Sequence, residues 1–97
     1  MKKYDLYVGC NENGKGKYDP AYVRFIIDEI LGIKKFDGCT FTDGIGLWKG
    51  VGELTVICTI CTDRERKDVL EVVGLIKEYL RQESVMVVES EPNIIFV

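Results

Sequence analysis

The chain has 97 residues, 46% of them hydrophobic and 30% charged, with a net charge of −3 and no histidine. That length makes one domain with one core, large enough to fold without a metal or disulfide staple, and scattered Lys and Arg argue against a nucleic-acid surface. Lack of histidine removes the usual general base, the commonest transition-metal ligand and every Ser-His or Cys-His nucleophile, so no resident cofactor or metal is expected.

Met1-Lys2-Lys3-Tyr4-Asp5 is followed by no apolar run of signal-peptide or membrane-spanning length, so a cytoplasmic protein without a membrane partner is expected. Its four cysteines, Cys10, Cys39, Cys58 and Cys61, are then expected to stay reduced. From Tyr4 to Cys10 apolar residues alternate with Asp5, Tyr7 and Gly9, the two-residue period of a half-buried strand. Residues 11–18 read as a polar loop. Gly9 to Gly16 nearly spells a phosphate-binding loop, but Gly16 replaces the hydroxyl residue that would hold magnesium, which leaves loose anion binding at Lys15 and Lys17.

Asp19-Pro20 predicts a capped helix start. Val23, Ile26, Ile27, Ile30 and Leu31 form one apolar stripe, Phe25 projects away from it, and Gly32 is expected to close the helix. Strands are predicted over 39–43 and 53–61, joined by a glycine-rich hairpin with bulges. The segment 36–53 holds half of the ten glycines and the single tryptophan, Trp48. Within it Trp48 and Lys49 could wall an anionic or aromatic ligand, while Asp43 and Glu53 could face one cleft; for Glu53 the alternative role is to hold glycine N–H groups. Cys58 and Cys61 have redox and zinc spacing, yet a strand sends their side chains to opposite faces.

Thr62 to Glu65 has capping-box spacing, and Val69, Val72, Val73, Ile76 and Leu80 stripe a second helix ending near Gln82. Arg64, Arg66 and Lys67 in its first turn read as a solvated face balanced by Glu65 and Asp68. A fourth strand is predicted over 84–89, and residues 94–97 are expected to be extended after Pro92, as a continuation of that strand beyond a break or as a short return strand. The order β-α-β-β-α-β is the α+β ferredoxin-like arrangement, an antiparallel sheet with two helices on one face. Its other face would present Tyr7, Thr40, Thr42, Thr55, Ile57, Thr59, Met86 and Val88. That face is apolar enough to predict a homo-oligomer, a dimer or trimer, packed through it.

Phe36, Gly38, Thr40, Gly46, Trp48 and Glu53, then Gln82-Glu83-Ser84-Val85 and a closing Ile95-Phe96, resemble the small bacterial family catalogued as domain of unknown function 3574. The resemblance runs from Lys35 onward and implies the same ferredoxin-like fold. The architecture is also similar to small-metabolite sensors of the PII type. The expected function is a non-catalytic, oligomeric binding protein that senses or sequesters a small anionic or nucleotide-like ligand near the hairpin. Its ligand-binding candidates are Lys15, Lys17, Asp43, Trp48, Lys49 and Glu53, and its interface candidates are Tyr7, Phe25, Ile57, Met86 and Val88. Two alternatives stand beside it: an interaction or inhibitor module of the phage or mobile-element kind, and a small cofactor-free enzyme built as a sheet-face dimer with Glu53 or Asp43 as base.

Overall fold

A computed structural model describes residues 1–12 and 16–97, with Glu12, Gly16 and Trp48 described by their backbone alone. Its elements are β1 (Lys2–Gly9), β2 (Asn11–Glu12), β3 (Gly16–Lys17), α1 (Pro20–Ile33), β4 (Thr40–Trp48), β5 (Val51–Thr62), α2 (Arg66–Tyr79) and β6 (Met86–Ser90). The main sheet has the order β4-β5-β1-β6 with every pairing antiparallel, and α1 and α2 cover one face, which is the ferredoxin-like fold.

Period two in β1 and β5 decides which side chains meet the helices. Leu6 lies opposite Cys58 and Val87, and Val8 opposite Val56, so these side chains share one face and are fully buried or packed against the core. The helices answer with Val23, Ile27, Ile30 and Leu31 from α1 and Val69, Val72, Val73 and Ile76 from α2. Each such side chain contributes about 1.5–3 kcal/mol on burial. Cys58 is buried while Cys61 is exposed, so the two thiols do lie on opposite faces of β5.

Local chemistry sets the helix ends. The Asp19 carboxylate accepts from the Ala21 N–H at 2.8 Å and Pro20 opens α1. Gly32 stays inside α1; the left-handed residue that closes it is Lys35, with φ of 61°. There Phe36 N–H reaches the Leu31 carbonyl and Lys35 N–H the Gly32 carbonyl, a closure that buries Phe36 beside Leu31. α2 stops earlier than expected, at Tyr79, because Arg81 turns left-handed and Gln82 N–H returns to the Lys77 carbonyl. No capping box forms: Glu65 is the N-cap without a side-chain bond, and the Thr62 hydroxyl accepts from Arg64 N–H in the preceding turn.

Three further expectations are corrected. Residues 11–18 include a two-stranded ladder, Asn11 opposite Lys17 and Glu12 opposite Gly16. β4 and β5 pair one-to-one from Thr40–Thr59 to Trp48–Val51, so the hairpin has no bulge and Gly44, Gly46 and Gly52 are strand residues. The turn is two residues long, Lys49 and Gly50, with φ of 51° and 77°, the left-handed pair that matches strand twist. Beyond Ser90 residues 91–97 form no strand, and Ile95 and Phe96 are exposed.

Arg64 and Arg66 are tied into the fold. The Arg64 guanidinium lies 4.1 Å from the Phe36 ring centroid and donates to the Lys34 carbonyl at 2.7 Å, which caps the α1 C-terminus. Arg66 grips Glu89 of β6 with two bonds of 2.9 and 2.7 Å. That grip, before any other cause, holds the Glu89 carboxyl down to about 2. A depressed carboxyl stabilises the fold fully above its unfolded value and loses that contribution as pH falls through the folded one. Urea unfolding should therefore show a stability loss between about pH 4.5 and pH 2 that is smaller in Glu89→Gln.

Candidate functional site

The β4–β5 hairpin is longer than the helices that cover the sheet, and this creates an overhang. β5 has 12 residues, about 40 Å at strand rise, whereas each 14-residue helix covers about 21 Å. The tip of the β4–β5 hairpin therefore projects past the helices, leaving Ile45, Leu47 and Leu54 exposed on the helix side. Leu54 is thus half-exposed although it lies on the helix-facing side of β5 with Val56 and Cys58.

At the root of this overhang, on the helix-free face, lies a groove of about 550 Å³. Tyr7, Gly9, Asn11, Gly46, Lys49, Glu53, Thr55, Gln82, Glu83 and Met86 are among its lining residues. Its size is that of a small-ligand cleft. One end is fixed by Gln82, whose side-chain amide donates to the Asn11 carbonyl at 2.8 Å and so ties the α2–β6 connection to the end of β1.

Glu53 is the chemically distinctive member. It sits opposite Gly46, and its carboxylate lies against Gly9 so closely that a Cβ there would come within 2.6 Å of an oxygen. Gly9 and Gly46 thus leave space on both neighbouring strands. Among the described residues no donor is bonded to this carboxylate, so Glu53 does not hold the hairpin's N–H groups as the sequence suggests. It also borders a second, smaller cavity of about 230 Å³ on the other side of the Asn11–Glu53 seam, lined in addition by Cys10, Lys17, Tyr18, Ile45 and Leu54.

The remaining sequence candidates separate. Asp43 faces the helices, opposite Val56, and is held by Arg24 of α1 through two bonds of 2.8 Å; it shares no cleft with Glu53. Lys49 lines the groove and Lys17 the smaller cavity. Lys15 and the Trp48 side chain lie outside the described residues. Tyr7, Ile57, Met86 and Val88 share the free sheet face, and Phe25 is exposed on α1, away from them. Lower on that face the Thr59 hydroxyl donates to Asp5 at 2.6 Å, with Val88 opposite Asp5 on its other side. Asn11, Thr55, Gln82 and Glu83 were not anticipated as lining residues. The Gln-Glu-Ser run after α2 was the available signal, but only the fold brings it to the end of β1.

Burial pushes the Cys10, Cys39 and Cys58 thiols up, and they are poor nucleophiles. Among the described residues no three acidic or cysteine side chains gather as a metal site, and no helix is long and apolar enough to cross a membrane. Alkylation of the native protein at neutral pH should modify Cys61 first and spare Cys10 and Cys58 until unfolding, as peptide mass mapping would report.

No family model and no curated protein matches this chain. Among solved structures it is similar to a phage SAM lyase in the apo state, with 25% identity, a TM-score of 0.71, and coverage of 92% of this chain and 78% of that one. It is also similar to a phage SAM lyase in complex with S-methyl-5'-thioadenosine, with 21% identity, a TM-score of 0.64, and coverage of 93% and 80%. The second likeness bears on the fold alone.

Proposed function

We propose that this protein binds an S-adenosyl sulfonium in the sheet-face groove and cleaves it as a lyase, releasing S-methyl-5'-thioadenosine. The observation that carries the reading is the Glu53 carboxylate, laid over Gly9 on the groove wall with no bonded donor among the described residues. A carboxylate with no bonded donor among the described residues suits a cationic sulfur, and Tyr7 and Met86 offer flat and adaptable apolar surface for the adenosine. Likeness over nine-tenths of the chain to a phage SAM lyase supports the same ligand class. The nucleotide-like ligand expected from the sequence is kept, and its anionic character is exchanged for a positive sulfur.

The chemistry suits a chain without histidine. Positive sulfur makes each attached carbon electrophilic. When the ligand's own carboxylate closes on the carbon of its amino-acid arm, a C–O bond forms as the C–S bond breaks and the electron pair returns to sulfur. The products are a neutral thioether and a lactone, with no proton transferred and no water consumed. The groove's task is then to hold the folded-back conformer. Because positive charge disappears during cleavage, Glu53 serves mainly to bind the substrate rather than to stabilise the transition state.

A second copy packed on Ile57 and Val88, beside the groove on the same sheet face, would cover the groove's open side, and we include that homo-oligomer in the proposal. Incubation with SAM should yield methylthioadenosine on chromatography. Glu53→Gln should weaken SAM binding about tenfold while neutral methylthioadenosine binding changes less than about twofold, since only the sulfonium loses a charge partner. Light scattering should give a multiple of the monomer mass, reduced by Ile57→Glu. A wild-type protein that neither binds nor cleaves SAM would sink the reading.

A further inference from the structure

We infer that the smaller cavity behind the Asn11–Glu53 seam receives the α-amino-acid arm of the ligand, with Lys17 as the residue that reads its carboxylate. This rests on the reading of the groove as an S-adenosyl site. Both cavities are bordered by Asn11 and Glu53, so a sulfur held near the Glu53 carboxylate would lie at the seam they share. An adenosyl sulfonium has two unlike substituents to place, a large aromatic one and a short zwitterionic one. The groove of about 550 Å³ suits the first and the chamber of about 230 Å³ the second.

The lining of the chamber matches that arm in chemistry. Ile45 and Leu54 give an apolar wall for its methylenes, and both are exposed to the cavity because the hairpin overhangs the helices. Lys17 is the cation among the lining residues, and no ion pair ties it to another described side chain. Its backbone is set by pairing with Asn11 across the small β2–β3 ladder, so the same short ladder that ends β1 delivers the lysine to the seam. Lysine offers a point charge on a long stem rather than a rigid fork. It can grip one carboxylate oxygen and leave the other turned toward the carbon next to sulfur.

The test compares two neutral thioethers that are not cleaved. S-adenosylhomocysteine has the amino-acid arm and methylthioadenosine lacks it, so neither depends on the sulfonium contact. Calorimetry with wild type, Lys17→Met and Lys17→Arg should show adenosylhomocysteine affinity falling about fivefold in Lys17→Met and by less than about twofold in Lys17→Arg. Methylthioadenosine affinity should be unchanged in both. Equal losses for the two ligands, or none for either, would overturn the assignment of Lys17 while leaving the groove reading intact. If wild type binds neither compound, the groove reading itself fails and this inference falls with it.

Discussion

The two-residue turn at Lys49–Gly50 closes β4 on β5 in a single register, and the upper half of the molecule depends on it. Left-handed backbone at both turn positions leaves no spare residue, so the ladder runs unbroken from Trp48–Val51 to Thr40–Thr59. Side chains alternate with period two, so a slip of one residue would carry Glu53 to the helix side and bring Leu54 onto the free face. The same register sets Gly46 opposite Glu53, and the pairing of β1 with β5 brings Gly9 beside it. Two glycines on two strands therefore frame one carboxylate, although they are far apart in the chain.

The helix layer is held by a different balance. Its apolar stripes supply most of the favourable free energy, but orientation comes from charged groups at element ends. Arg64 stacks on Phe36 and caps α1, joining the start of α2 to the end of α1, and Arg66 fastens α2 to the edge strand through Glu89. These contacts keep the helices over the lower part of the sheet while the longer strands run past them. The overhang that results is what leaves room for the groove on one side and the smaller cavity on the other.

Charge within the proposed site is economical. Glu53 has no bonded donor among the described residues, whereas Asp43, only three rungs away but on the opposite face, is fully engaged by Arg24. A cation-seeking role thus falls to one carboxylate instead of a pair, and acid-base chemistry between two carboxylates loses its geometric basis. Displacement at a sulfonium fits that arrangement because it needs positioning and charge recognition and moves no proton.

Much of the fold was legible from residue patterns. The alternation of Tyr4, Leu6 and Val8, the stripes of both helices and the Asp19-Pro20 start each reflect a local period or cap that operates without the rest of the chain. Opposite faces for Cys58 and Cys61 followed from the same period. Helix ends at Lys35 and Arg81 were missed because a non-glycine residue takes the left-handed position, paid back by buried contacts such as Phe36 on Leu31 that no local pattern reveals. Glu53 was legible as a candidate, but its freedom from the hairpin N–H groups and its separation from Asp43 were not. Gln82 and Asn11 come together across most of the chain length, and Glu53 lies between two cavities only because strand and helix lengths differ. The sequence by itself determined the main strands and helices and their faces, since period and capping are local; tertiary structure decided the site, since it is made where three strands and a returning loop converge.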